Sequence, residues 1–445
     1  MRESGHLGGE NILVGKELAI KGTFVFENGE ELKIAIIDRD KGLFKEFLAA
    51  GEWNNLDFPS EAKVDYSSFR IAPGDFNAHS HPEQSIYVEM VDPTWDLATW
   101  CRHTIYRYSV SLTPKLVYLA CARAFSRMVS YGITSVMVSF YCHNRRGNEL
   151  DREVLRAARD VGIRLYFGRM HYDVISQTAY PEKRESQHSY FETIDGAERN
   201  YKALQKEVEA WNDPRVIVAP SLHSFHANTL DAMIHGINLG YQEGRKVQLH
   251  LSEDEGDVRL SEEQFGGRPV DVLYRLYQEG KVASLSHLIL SDCIWTSEEE
   301  KDLIAQSGMN VVLNPRMNDR VKAGRADLKA FLRRGIPVYV GTDGEASNDD
   351  LSIEREIAYL KKINPAVSYE ESKKLGYLPF DFHDFKIGVL EPQAAADFKV
   401  LDGEKLVDLY IGGARIVEGG ELRTIDVEKD IENPLKLERA NIFKL

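Results

Sequence analysis

The chain contains no run of about 18 consecutive apolar residues, so no segment is expected to span a membrane as a helix. Its opening residues, Met1-Arg2-Glu3-Ser4-Gly5-His6, have no apolar core of the kind that directs secretion, so export by that route is not expected. Cysteine is scarce: Cys101, Cys121, Cys142 and Cys293 show no CxxC pairing. They read as scattered reduced thiols of a cytoplasmic enzyme, with surface disulfides as the weaker alternative. Positive charge is in deficit, 55 Lys and Arg against 70 Asp and Glu for a net charge of −15. That balance argues against nonspecific attraction to nucleic acid or an anionic membrane, and leaves a small molecule as the expected partner. Internal repeats, low-complexity blocks and long linkers are also missing. What remains is an ordinary globular composition, 43% hydrophobic and 28% charged, in 445 residues. A chain of that length holds several domains or one large barrel with an appendage. A homo-oligomer is expected.

Short apolar runs rich in β-formers alternate with longer helical stretches. Arg70–Asp75, Ile133–Phe140, Ile163–Phe167, Val216–Ala219, Val247–Leu251, Val282–Leu285, Asn310–Leu313 and Val338–Val340 read as strands. Lys115–Ser130, Asp151–Asp160, Gly196–Trp211, Glu298–Ser307 and Arg325–Arg334 read as helices between them. In Tyr131-Gly132-Ile133, Val161-Gly162-Ile163 and Arg334-Gly335-Ile336 a glycine closes a helix just before β-branched residues start a strand. The pattern predicts an α/β chain built on a parallel (β/α)8 TIM barrel over residues 72–370, with its active site at the C-terminal strand ends. Residues 1–71 and 384–425 are too short to make a core alone, so they are paired into one small β-sandwich domain. Residues 426–445 read as a C-terminal arm.

Several polar side chains fall at the ends of these strands. His79 and His81 are two apart, a spacing that points both imidazoles to one face of a strand. His250 ends Val247-Gln248-Leu249, and Asp343 follows Val338–Thr342. An isolated histidine in such a place is more often structural. The joint placement at strand ends predicts one divalent metal ion held by His79, His81, His250 and Asp343, with Zn2+ the best match and Fe2+ or Mn2+ compatible. Arg215–Leu222 offers no lysine to bridge a second ion, so one metal is expected. Glu253, just beyond the strand, is placed to carry a proton to a departing amine, although its acidic surroundings also allow a plain loop carboxylate. His287 is expected at the end of Val282–Leu285, beside the attacking water. Together these groups read as metal-assisted hydrolysis, in which water bound to the ion reaches a pKa of about 7.

With these motifs, and with Ile387–Pro392 and Ala396–Asp402 near the end, the chain resembles the deaminase and chlorohydrolase branch of the amidohydrolase superfamily. The resemblance implies that Asp343 takes a proton from the attacking water, that Glu253 serves the substrate nitrogen, and that His287 polarises the reacting centre. Within the branch the pattern is most similar to formimidoylglutamate deiminases. Gln84 stands three residues after the HxH pair, Trp100-Cys101-Arg102 precedes Tyr106-Arg107, Tyr141 ends the second strand, and His223-Ser224-Phe225-His226 follows the fourth. Gln84, Arg102, Tyr141, His223 and His226 are therefore the implied substrate contacts. The departure is at His226, where the family has an arginine; imidazole lacks the planar fork that grips a carboxylate. Guanine is not favoured, because the Arg-Phe pair of guanine deaminases is missing at Ser221-Leu222. Arg316, in Asn314–Asn318, could meet an anionic substrate or clasp a loop. The reading is an aminohydrolase acting on an amidine-type C–N bond with release of ammonia. Alternatives are a nucleobase- or pterin-type ring deaminase, an amide- or chloro-hydrolase on the same site, and, remotely, a non-catalytic scaffold.

Overall fold

A computed structural model describes residues 16–443. The opening Met1–His6, where no signal core is expected, lies outside the described residues. The described residues start with Glu17–Phe26 and Gly29–Asp38, two long strands with buried apolar runs that pair antiparallel across a tight turn ending at Gly29. Leu43–Ala49 adds to one edge, and Lys63–Pro73 runs parallel to the first strand. From the far end of the sequence, Phe398–Asp402 pairs antiparallel with Lys63–Pro73, followed outward by Lys405–Ile411, Ala414–Glu418 and Glu421–Leu422. Both chain ends thus share one continuous sheet of eight strands. Leu18, Ile20, Phe24, Phe44, Ile71, Phe398, Val400 and Tyr410 form its apolar core.

Between the two ends lie eight parallel strands: β1 (Asp75–Ser80), β2 (Ile133–Phe140), β3 (Arg164–His171), β4 (Val216–Leu222), β5 (Val247–Leu251), β6 (Leu288–Asp292), β7 (Asn310–Leu313) and β8 (Val338–Val340). They form two sheets, β1-β2-β3-β4 and β5-β6-β7-β8, each parallel throughout. The sheets adjoin at both edges. His250 N donates to His223 O at 2.9 Å, and Thr342 N and Asp343 N donate to His79 O at 3.2 and 3.1 Å. Every residue of β2 to β7 is buried, as expected for strands covered on both faces. Gly132, Gly162 and Gly335 have φ of +86°, +93° and +68°, the left-handed turns that the helix-to-strand junctions require.

Two expected strands move. Arg70–Asp75 straddles a boundary: residues up to Pro73 belong to the outer sheet, and β1 starts at Asp75. Val282–Leu285 is a loop that buries Val282 and Leu285 and exposes Ala283, and the strand is the denser apolar run Leu288-Ile289-Leu290. The outer sheet is pinned to the starts of the parallel strands. Arg164 at the head of β3 holds Asp397 bidentately at 2.7 and 2.9 Å, and Lys399 reaches both Asp75 oxygens at 2.8 Å. These buried pairs fix one end of the strand assembly and leave the C-terminal ends for chemistry. The carboxy-terminal helix Asn433–Phe443 packs on the helix Pro114–Ser130; Arg439 pairs with Glu89, and Glu432 reaches Arg123 at 3.1 Å.

Candidate metal and proton-transfer site

At the C-terminal ends of the strands, β1 presents His79 and His81, and β5 presents His250. One nitrogen from each ring lies within 4.8 Å of the others. His81 Nε2 and His250 Nε2 are 3.1 Å apart, and Asp343 Oδ1 stands 3.8 Å from His79 Nε2 and 3.5 Å from His81 Nε2. The opposite ring nitrogens are all engaged. His79 Nδ1 donates to Gln248 Oε1 at 2.8 Å, His81 Nδ1 to Ser139 O at 2.6 Å, and His250 Nδ1 to His223 O at 3.0 Å. Each acceptor fixes the proton on Nδ1, so three Nε2 lone pairs converge on one point. Gln248 is itself held, donating to Ala78 O at 2.8 Å. His79 Nε2 is buried and has no hydrogen-bond partner. Burial, reinforced by His79, brings His250 down to about 3, and burial with its histidine neighbours holds His81 well below the ordinary imidazole range. Both shifts favour neutral imidazole, the form that ligates a metal.

Carboxyl groups surround this cluster. Burial raises Glu253 well above the usual carboxylate range, and Asp292 and Asp343 push it further. Asp343 is pushed up to about 6, by burial first, with Asp292 adding to it and His79 opposing. The ends of β5, β6 and β8 hold non-glycine residues in left-handed backbone: Ser252 at φ +52°, Asp292 at +78° and Asp343 at +56°. Such strain persists where the surroundings impose it, and it clusters at functional sites.

His287 does not join the site. It precedes β6 rather than ending a strand, so it lies at the opposite end, where Nε2 donates to Ile237 O at 2.8 Å. Asp292 ends β6 instead. It is fully buried, and its Oδ1 accepts from Asn314 Nδ2 at 2.9 Å and Asn318 Nδ2 at 3.0 Å, while Oδ2 has no partner. The signal for it was the Leu288–Leu290 run followed by a lone acid. Glu83, two residues past His81, was also missed; burial pushes it up to about 8, with Asp343 contributing.

Beside the cluster opens a cavity of about 370 Å3. Its polar floor and rim comprise His81, His250, Glu253, Asp257 and Asp343, and its walls Trp100, Tyr106, Tyr141, Tyr172, Tyr180 and Tyr190. Gln84, Tyr141, His223 and His226 are among its lining residues. Tyr141 lies edge-on to His223 with centroids 4.8 Å apart. His226 Nδ1 pairs with Asp257 Oδ1 at 2.9 Å, and Asp257 Oδ2 accepts from Glu253 N at 3.3 Å, so one carboxylate ties both loops together. Arg102 is not in the lining; it is exposed and stacks 5.0 Å from the outer wall ring, Tyr180. Arg316 also stays away, bound to Asp350 at 2.7 Å and, through its backbone N, to Glu356 at 3.0 Å. All four cysteines are free, and among the described residues no helix is long and apolar enough to cross a membrane.

Known proteins match this chain along most of its length. The amidohydrolase family profile covers residues 70–434. A 5-methylthioadenosine/S-adenosylhomocysteine deaminase of Pyrococcus furiosus is 26% identical over 439 residues, 92% of this chain and 97% of its own. The fold is shared with an adenosine deaminase from Xanthomonas campestris with bound zinc, at TM-score 0.79, 19% identity and coverage of 96% and 98% of the two chains. It is shared equally with the zinc complex of atrazine chlorohydrolase from Arthrobacter aurescens, at TM-score 0.78 and 17% identity, covering 94% of this chain and 99% of that one. With a profile match spanning both the strand assembly and the returning outer strands, the chain belongs to the amidohydrolase family, hydrolases of carbon–nitrogen bonds other than peptide bonds.

Proposed function

We propose that the protein is a mononuclear metal-dependent deaminase that hydrolyses the amidine C–N bond of an adenosine-type ring and releases ammonia. The observation that carries this reading is Glu253. A carboxyl group whose charged form is disfavoured by burial stands on the cavity wall beside three converging imidazole lone pairs, where it can carry a proton. The amidine nitrogen of an aminopurine needs such a proton to accept electrons as water adds. Aromatic walls suit the faces of a flat heterocycle.

The residues present fit one divalent ion. His79, His81, His250 and Asp343 would hold it, and the partnerless buried Nε2 of His79 is the clearest mark of a missing bond. Zn2+ matches three nitrogens and one carboxylate oxygen. When bound, the ion supplies Lewis-acid polarisation and makes water acidic enough to react at neutral pH. The chain's own groups then do the rest. Asp343 accepts a proton as the water oxygen bonds to the ring carbon bearing the amine. Glu253 gives its proton to the adjacent ring nitrogen. Asp343 passes the proton it took to the exocyclic nitrogen, the C–N bond breaks to release ammonia, and the remaining hydroxyl proton goes to Glu253, leaving a carbonyl and both carboxyl groups as they began. Gln248, Ser139 and the His223 carbonyl keep the histidines oriented throughout. Burial, with Asp292 and Asp343 adding to it, disfavours the charged form of Glu253.

The eight parallel strands are read as one closed (β/α)8 barrel, and the outer sheet, with an apolar core on one face, as the small β-sandwich packed against its base. A formimino amino acid substrate has less support. No arginine lines the cavity, Arg102 stands outside it, and His226 already has Asp257 as its partner. Carbon–halogen cleavage expels a halide that leaves without a proton, whereas a departing amine needs one, which favours the amine.

The test is ammonia release by zinc-loaded protein offered 5-methylthioadenosine, S-adenosylhomocysteine, adenosine and formiminoglutamate, with metal content measured in parallel. Turnover of the adenine compounds with one metal per chain is the expected result. Release from formiminoglutamate alone would overturn the ring substrate, and two metals per chain would overturn the mononuclear site.

A further inference from the structure

Only one lysine or arginine side chain is among the cavity's lining residues, and it has been given no task so far. Lys183 lies on the helix Pro181–Tyr190, which contributes Lys183 and Tyr190 to the cavity wall. Its ammonium stands 5.1 Å from the centroid of the Tyr106 ring. Among the described residues no carboxylate lies within ion-pair distance of it, and its Nζ makes no hydrogen bond. The neighbouring cations are spent. Arg184 donates to Gln177 O at 2.7 Å and Ala179 O at 2.9 Å, and Arg102 covers the outer face of Tyr180. The cavity's own acids do not answer Lys183 either: Asp257 binds His226, and Asp254 caps the helix Glu255–Phe265 through Asp257 N. The charge of Lys183 is nonetheless felt inside the cavity, at the rings and thiol of His223 and Cys101.

We infer that Lys183 is a specificity residue that binds a carboxylate carried by the substrate at the end remote from the reacting ring. The inference rests on the deaminase reading above and names the class within it: an adenine compound bearing an anionic tail. An ammonium left unpaired against aromatic walls gains a charge-assisted hydrogen bond when a carboxylate arrives, and its desolvation is then compensated. A single ammonium beside aromatic walls offers one charge-assisted hydrogen-bonding partner, the match for a carboxylate. The geometry therefore selects S-adenosylhomocysteine, whose amino-acid end carries a carboxylate, over 5-methylthioadenosine, which has none.

The experiment compares kcat/KM for these two compounds in the wild type, Lys183→Met and Lys183→Arg. The ratio of the carboxylate-bearing to the neutral substrate should fall at least ten-fold in Lys183→Met, through KM, and recover in Lys183→Arg. In the wild type the same ratio should fall as salt is raised. An unchanged ratio in Lys183→Met overturns the inference. If the wild type deaminates neither compound, the deaminase reading fails by itself, and the carboxylate site is then decided by calorimetry. Binding of S-adenosylhomocysteine or formiminoglutamate to zinc-loaded protein that weakens ten-fold in Lys183→Met supports it; binding indifferent to Lys183, or none, overturns it.

Discussion

Replacing Glu253 by Gln separates proton transfer from every other property of the site. The amide has nearly the same shape and can still donate a hydrogen bond to a ring nitrogen, but it cannot give up a proton. Glu253 lies outside the group of imidazole nitrogens that cluster within 4.8 Å, so the metal should stay. Its carboxyl group is raised by burial and by the nearby Asp292 and Asp343, an environment that penalises negative charge. A neutral amide should therefore cost the fold little. Positioned acid–base catalysis is worth about 10^2–10^4 in rate, or about 3–5 kcal/mol of barrier. The expected outcome is a fall in kcat of that size with KM for the adenine substrate nearly unchanged. The assay is steady-state ammonia release, with zinc counted by atomic emission on the same sample and melting temperature recorded. Glu253→Gln retaining more than about a tenth of wild-type kcat would refute the assigned role, because acid–base groups contribute at least ~10^2. Loss of metal with loss of activity would instead make Glu253 a ligand.

Three other outcomes follow from the same geometry. His287→Ala should leave kcat within about two-fold of wild type, since the ring lies at the base of β6 and bonds only the Ile237 carbonyl; a collapse of turnover with the fold intact would restore it to the site. Gln248→Leu removes the acceptor that orients His79 and should weaken zinc about 10–100-fold in a chelator competition, with unchanged affinity arguing that His79 needs no such support. Glu192 is the pH probe. Burial alone would raise its carboxyl group, but His143 and Arg169, with Asn200, outweigh this and hold it at about 2. A carboxylate depressed from an ordinary value near 4.5 contributes stability that is complete above that pH and lost as pH falls toward 2, at most about 3 kcal/mol. Acid titration of unfolding should show this slope in the wild type and less of it in Glu192→Gln; identical acid limbs would mean that the Arg169 clamp contributes nothing.

Much of this protein was legible along the chain because its strands are continuous apolar runs and its helices end in glycines that need positive φ. The histidine cluster was legible for a related reason: HxH has a period-two meaning on any strand, and a polar residue ending a buried strand has few bland explanations. Where two apolar runs competed for one strand, local pattern was not enough. Val282–Leu285 and Leu288–Leu290 both look extended, and only pairing of Leu288–Asp292 with Val247–Leu251 decides which is β6, placing His287 at the base and Asp292 at the top. The same limit applies to Arg70–Asp75, where one extended stretch feeds two different sheets.

By itself, then, the sequence determined the element types, the strand ends and the identities of the convergent imidazoles, all of which depend on neighbours a few residues away. Tertiary structure alone decided which side chains face one another across the strands. Gln248 behind His79, Asp257 beneath His226, Asp292 near Glu253, and Lys183 with no acid to meet it are relations between residues far apart in sequence. No local periodicity encodes such distances; they are set by the register and closure of the packed strands.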